Sequence, residues 1–479
     1  MAELSGGIPL PLFLVVALGL MGAVAYVLRQ WEQAVAVSAA LIVGGLGIWL
    51  WRLGTLPSAQ VPLVSLTVDL GASWERFGFV LEPKLGSLPV LALYFFLTAA
   101  AFGLSALHSQ GRSLIPFVLL LLAGYSSLTL ITAAPLAPGL IMPLLLVALT
   151  SGSVFVLQAG RLGNPRGALR AILPPMIAFP LFFLAAWHID QIPLNPQDGE
   201  LLATISGFLG LGLLILLAPF PLHGTHGASA HSAPPVVTAT VNLFYELAIL
   251  VLFHRLLTAY PFITTSVPLS NWLIWAGTLT AVWGGVAAVG TLHPGRLWGY
   301  VSLHDWGLII LALAMTGVRR WPLVLLLFVM RAISLMISAS GLATLEQQAG
   351  SLRSERMQGI GSRLPWSSAL FVFGSLGLVG FPLTVGFIGH WSAIQMVAAI
   401  DWQLAAAILL ASAGAVVAFV RLVRLLFGPT PSPEIGPMPE RDHRPGIIAT
   451  LGMLAAALAL ALSPQWVNAV IDPLLAVFR

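Results

Sequence analysis

Cysteine is absent from this chain of 479 residues, lysine occurs once, at Lys84, and only 8% of the residues are charged. Without a thiol the chain holds no disulfide, no thiolate metal site and no cysteine-ligated iron–sulfur cluster. Acidic side chains are scarce and uneven, with none between Glu82 and Asp190. In their place are apolar residues, 58% of the chain, with a mean hydropathy of +0.96. Apolar runs of 18 residues or more exclude an ordinary soluble protein and imply one integral membrane domain. The net charge of +4 and isoelectric point near 9.8 would suggest nucleic acid in a soluble protein. Here most arginines sit in short loops between apolar runs, where they orient spans, so a lipid bilayer and not nucleic acid is the expected surrounding. The first run, from Ile8, has no basic segment before it and no clear small-residue cleavage site, and reads as a retained span.

The apolar periodicity predicts an all-α membrane protein of about fourteen helices. Their expected extents are 8–28, 33–52, 86–106, 113–133, 137–159, 168–188, 200–220, 234–256, 271–292, 296–316, 320–342, 366–398, 402–426 and 446–466. The 366–398 run is too long for one ordinary span and carries Gly380-Phe381-Pro382 near its middle, which predicts a helix interrupted inside the membrane. A similar interruption is expected at Pro219-Phe220-Pro221, ahead of the Gly- and His-rich stretch from His223 to His231. Two Pro-broken apolar segments in separate halves point to two inverted five-helix repeats with ion paths at the breaks. The expected layout is 1–110 for N-terminal helices and a β-hairpin, 111–256 and 257–427 for the two halves, and 428–479 for a last helix. The hairpin is read from Val64-Ser65-Leu66-Thr67-Val68 and Phe77-Gly78-Phe79-Val80-Leu81 within 57–85.

Loop charge tests this layout. When loops are sorted by side, 13 basic residues fall on the odd side, among them Arg29, Arg112, Arg296, Arg353, Arg363, Arg421 and Arg441, against 7 on the other. By the positive-inside rule the odd loops are cytoplasmic and both termini lie outside, in a bacterial inner membrane.

Several motifs resemble one family. Pro219-Phe220-Pro221-Leu222-His223 followed by Ala233-Pro234-Pro235-Val236-Val237 is similar to the PFH…APTPVSALLH segment of the antiporter-like subunits of respiratory complex I, a family that includes Mrp antiporter and membrane-bound hydrogenase subunits. Arg296-Leu297-Trp298-Gly299-Tyr300-Val301-Ser302 resembles KRILAYSTIS. Gly380-Phe381-Pro382-Leu383-Thr384-Val385-Gly386-Phe387-Ile388-Gly389-His390 resembles GIPLTAGFIGK and is the most specific, because its glycines and proline shape the break. Lys84-Leu85-Gly86-Ser87-Leu88 loosely matches a DGLS turn, and the likeness runs over roughly 60–430; with no long lateral helix expected after the fourteenth span, the resemblance is to the fourteen-helix M or N type.

The resemblance implies a proton path whose titratable groups this chain replaces in part. The family's glutamate on the fifth helix has no counterpart in 137–159, its lysine on the seventh falls on Leu216, and the next lysine or histidine position falls on Asn242. Arg331 matches the lysine of the eleventh helix and His390 the lysine or glutamate of the broken twelfth. His304 and Asp305 stand where serine and glutamine are usual, and Glu246, four residues after Asn242, shares its helical face. A histidine exchanges protons near neutral pH, whereas an arginine keeps its charge. The candidate path is therefore Glu246, His304, Asp305, Arg331 and His390, with Arg331 also readable as a fixed counter-charge and His390 as a cap on freed backbone groups. His223, His226 and His231, spaced i, i+3, i+8 on a Gly-rich loop, resemble a metal cluster only by composition; interfacial hydrogen bonding is the expected role, with no metal.

Three functional classes stay open. One is a membrane-arm subunit of a complex I-like NADH:quinone oxidoreductase, a translocase subunit moving protons with an inactive first half-channel. The second is a non-pumping structural subunit of that complex. The third is an Mrp-type cation/proton antiporter, a hydrogenase membrane subunit or a bicarbonate-uptake partner. No NADH, flavin, iron–sulfur or quinone motif is present, so the chain is expected to bind no cofactor, and partner subunits would reduce the quinone.

Overall fold

A computed structural model describes residues 7–54, 60–63, 66–76, 79–82, 85–107, 122, 166–224, 226, 230–231, 233–315, 320–429 and 444–478. Apart from Leu122, the expected helices 113–133 and 137–159 lie outside the described residues, as does Lys84.

The chain enters as a short strand β1 (Ile8–Pro9) and two apolar helices, α1 (Leu10–Val27) and α2 (Glu32–Leu53). Four strands follow: β2 (Gln60–Leu63), β3 (Leu66–Asp69), β4 (Trp74–Arg76) and β5 (Phe79–Leu81). They form two hairpins and not the single one expected: β2 pairs antiparallel with β3, β4 with β5, and β1 joins β3 in parallel. The separator is Asp69, whose Oδ1 accepts from Gly71 N–H at 2.9 Å and Ala72 N–H at 3.1 Å, an Asx turn that ends β3.

The helical body comprises α3 (Leu88–Leu107), α4 (Arg166–Ile189), α5 (Gly199–Leu216), α6 (Pro235–Ala259), α7 (Leu269–Val289), α8 (Pro294–Leu313), α9 (Arg320–Ala349), α10 (Pro365–Gly377), α11 (Phe387–Ile400), α12 (Trp402–Leu426), α13 (Arg444–Leu462) and α14 (Gln465–Leu475). Polar caps start several of them where the chain enters at an interface. Asp198 Oδ1 accepts from Glu200 and Leu201 N–H at 3.0 and 3.1 Å, and Asp401 Oδ1 from Gln403 N–H at 2.8 Å. Nine helices among the described residues are long and apolar enough to cross a membrane, or ten if the bent pair α13–α14 counts as one. The expected last span, 446–466, ends early: α14 turns away from α13 by 83°, and the ring of Phe478 beyond it packs tilted against Trp321, 4.4 Å between centroids.

Burial sorts the helices. In α6, 94% of the spanning residues are buried, and in α9 78%, whereas in α2 only 28% are. Central helices must satisfy each other, so they carry the polar residues; peripheral ones expose Leu20, Leu41 and Leu410, side chains suited to lipid. Both expected interruptions occur. The helix α5 stops at Leu216, with Ala218 at φ 46° and the Phe220–Pro221 bond cis. The 366–398 run divides into α10 and α11 around Gly380 (φ 71°) and Leu383 (φ 67°).

Candidate functional site

Four central helices bring five candidate residues into one buried cluster. Arg331 on α9, Glu246 on α6, Asp305 and His304 on α8, and His390 at the start of α11 are each no more than 2% exposed. Arg331 donates from Nε to Glu246 Oε2 at 2.8 Å and from Nη2 to Oε1 at 2.5 Å. Its Nη1 donates to Asp305 Oδ2 at 2.7 Å and to the Ser302 carbonyl at 2.6 Å, and Nη2 also reaches Ser302 Oγ at 2.9 Å. All five guanidinium N–H groups are thereby engaged, which fixes the side chain and keeps its charge in place. The indole of Trp306 lies 5.7 Å from the guanidinium carbon.

Asp305 bridges two bases. Its Oδ1 lies 2.6 Å from His390 Nε2. An ionised carboxylate only accepts, so Nε2 carries the hydrogen, and the proton that changes the charge of His390 resides on Nδ1. Nδ1 is buried with no hydrogen-bond partner among the described residues. It faces Gly380, where an added Cβ would collide with the imidazole; glycine here allows both the positive φ and the close approach of the histidine.

His304 extends the cluster sideways. Its Nδ1 contacts the Ala281 carbonyl at 2.7 Å and its Nε2 the hydroxyl of Ser412 on α12 at 2.9 Å, with its ring 6.0 Å from that of His390. The carbonyl can only accept, so Nδ1–H donates to it. Backbone contact between α7 and α8 makes this possible: a Cβ on Gly284 would stand 2.5 Å from His304 N.

The first break is built from neutral groups. Leu216, at the expected lysine position, is fully buried, and its carbonyl accepts from Tyr245 O–H at 2.6 Å. Trp306 Nε1–H donates to the Leu217 carbonyl at 2.8 Å, and Phe220 N–H to Thr280 Oγ1 at 2.9 Å. Asn242 is only partly buried and does not belong to the ion cluster. His223 accepts from Trp283 Nε1–H at 2.9 Å, while the His231 ring meets that of His293 at 4.4 Å.

The structure thus brings Glu246, His304, Asp305, Arg331 and His390 together and adds Ser302, Trp306, Tyr245 and Ser412, which sequence reasoning missed. Ser302 was in view as the end of the Arg296–Ser302 motif. Ser412 lies in an alanine-rich helix and had no local signal.

Comparisons with known proteins agree with this architecture. Residues 182–415 match the transmembrane family described as NADH:quinone oxidoreductase/Mrp antiporter. The NADH-quinone oxidoreductase subunit N of Chromohalobacter salexigens is 26% identical over 339 residues, covering 63% of this chain and 68% of that protein. A chain of the membrane-bound sulfane sulfur reductase, an archaeal respiratory membrane complex, superposes with TM-score 0.78 at 18% identity, covering 98% of both chains. A chain of respiratory complex I from Thermus thermophilus gives TM-score 0.73 at 19% identity, covering 97% of this chain and 98% of that one. At such identities the structural likeness speaks for the fold alone.

Proposed function

We propose that this chain, an antiporter-like member of the NADH:quinone oxidoreductase/Mrp antiporter family, is a membrane-arm subunit of a complex I-like assembly and carries protons on His390. The observation that carries the reading is the charge balance of the buried cluster. Arg331 contributes one positive charge and Glu246 and Asp305 two negative ones, at 2.5 and 2.7 Å. The three together leave one uncompensated negative charge, which is costly in a bilayer. A proton on His390 Nδ1 neutralises the set, and the Nε2 contact to Asp305 then becomes an ion pair. One exchangeable proton, held against a fixed arginine, is what a single-proton carrier needs.

The remaining residues divide the labour. Arg331 is the fixed counter-charge, Glu246 and Asp305 set the balance, and His304 is a second titratable group beside His390. With 111–256 and 257–427 as the two halves, the first half's own channel, with Leu216 and Asn242 where relatives use ionisable groups, is inert in this reading, while its Glu246 serves the cluster of the second half. Partner subunits supply electrons and reduce quinone. The excess of arginine at the ends of α8, α10 and α12 supports assigning that side to the cytoplasm of a bacterial inner membrane, with both termini outside.

Proton-to-electron stoichiometry of the assembled complex in reconstituted vesicles tests the proposal. His390→Ala lowers it and Leu216→Ala leaves it unchanged. An unaltered ratio in His390→Ala would favour a structural subunit that pumps nothing, a role the neutral first break also suits.

A further inference from the structure

One large cavity stands apart from the buried ion cluster. It measures about 1100 Å³, at the upper end for small-molecule sites. It lies where the start of α7, the end of α8, the start of α9 and the end of α11 meet, with α14 beside them; Ser270, Met315, Leu323, Ile400 and Asp472 are among its lining residues. Helix ends gathered in this way mark a membrane face, here the one opposite Arg296 at the start of α8. Because α14 bends 83° from α13, it runs close to the plane of that face, at the level of lipid headgroups. The lining is divided by character. Met315, Leu323, Leu326, Met396 and Ile400 make apolar walls, whereas Ser270, Ser392, Gln395, Asn468 and Asp472 are polar. None of those five polar side chains has a hydrogen-bond or ion-pair partner among the described residues.

Two of them are placed to act together. Asn468 and Asp472, four residues apart, share the exposed face of α14, whose other side buries Val467, Ile471 and Leu474. A positive charge stands at the rim: Arg320 Nε–H donates to the carbonyl of Met315, while its terminal nitrogens bond no described residue. The cavity thus offers a free carboxylate and a free guanidinium that do not pair with each other. We propose that it binds a bilayer phospholipid with an ethanolamine head, whose primary ammonium donates to Asp472 and Asn468 and whose phosphate accepts from Arg320. The acyl chains lie along Leu323, Leu326 and Met396, and Gln395 and the two serines are the donors for the glycerol ester carbonyls. Charge selects the head. A zwitterion answers both charges, whereas an anionic head would set a second negative charge against Asp472. A choline head carries no N–H for the carboxylate, and no aromatic cage lines the cavity to receive it. A basic segment of a partner protein would satisfy Asp472 but stand against Arg320. The site is independent of the carrier role of His390, since its occupancy is read from lipid and not from protons.

Photolabelling of the purified complex tests the site. The complex is reconstituted in phosphatidylcholine vesicles with a trace of phosphatidylethanolamine bearing a diazirine in one acyl chain, and labelled residues are mapped by mass spectrometry. The label is expected on Leu323, Leu326 or Met396, displaced by unlabelled phosphatidylethanolamine and not by phosphatidylglycerol. The exposed Leu20 and Val24 of α1 report unselective contact with lipid. Relative to them, Asp472→Asn should lower cavity labelling roughly 10-fold, the weight of one charge-assisted hydrogen bond. Asp472→Lys should turn the preference toward phosphatidylglycerol, which the loss of a merely structural aspartate would not do. A cavity that stays unlabelled, being filled by a partner subunit or by water, would overturn the proposal. So would equal displacement of the probe by the two competing lipids. That competition needs no variant, so it decides the question even where the Asp472 substitutions fail to assemble.

Discussion

The two helix breaks of this molecule solve one problem in opposite ways. Each frees backbone groups inside the membrane, where water is not generally at hand to satisfy them. At the first, Tyr245, Trp306 and Thr280, all uncharged, bond Leu216 O, Leu217 O and Phe220 N–H. At the second, the turn satisfies itself, with Phe381 N–H on Leu376 O at 3.1 Å and His390 N–H on Gly386 O at 3.1 Å. The histidine side chain is thus released from any capping duty and faces Asp305. The first break is closed by neutral side chains, two aromatic donors and a threonine acceptor, whereas the second leaves an imidazole nitrogen without a partner among the described residues. On the reading proposed above, the first is a structural joint and the second the site.

The largest expected contrast is functional. Replacing the imidazole proposed to carry the proton, His390→Ala, should lower this subunit's share of pumping by roughly 100-fold, the usual weight of a positioned acid–base group. Leu216→Ala, measured in the same vesicles, should change stability but not the proton-to-electron ratio. Next comes Arg331→Met, which strands Glu246 and Asp305 beside each other. A loss of about 3–5 kcal/mol is expected from an uncompensated buried charge, seen as poor assembly or a lowered Tm of the complex; Glu246→Gln in the same background should recover part of it.

Gly380→Ala tests the second break alone. The residue adopts φ 71° and its Cβ would meet the His390 ring, so about 1–3 kcal/mol of strain is expected. A displaced imidazole should lower pumping more than it lowers Tm. At the first break, Trp306→Phe removes one donor from Leu217 O, and a smaller loss of about 1 kcal/mol should appear in Tm with pumping retained. A pumping defect in Trp306→Phe as large as that in His390→Ala would erase the distinction between the breaks.

Much of this was legible in the chain. The runs ending at Leu53, Ala259 and Leu426 are apolar enough to declare themselves as spans, and Gly380-Phe381-Pro382 and Pro219-Phe220-Pro221 announce interruptions because proline supplies no N–H. The five ionisable candidates stood out because charge is rare in an apolar chain. The hairpins were less legible: β-prone runs such as Phe77–Leu81 do not show where a chain reverses, and Asp69 decides it through its turn. The bend from α13 into α14 was hidden because both segments are apolar.

By itself the sequence determined that the protein lives in a bilayer, where its helices break and which few charges it must shelter, since hydropathy and proline act locally. Tertiary structure decided that Glu246, Asp305, Arg331 and His390, spread over 145 positions of chain, share one charge balance, and which nitrogen of His390 is left open. Those outcomes depend on the register between helices distant in sequence, set by contacts such as Gly284 on α8 and Gly380 on His390, and no local pattern encodes them.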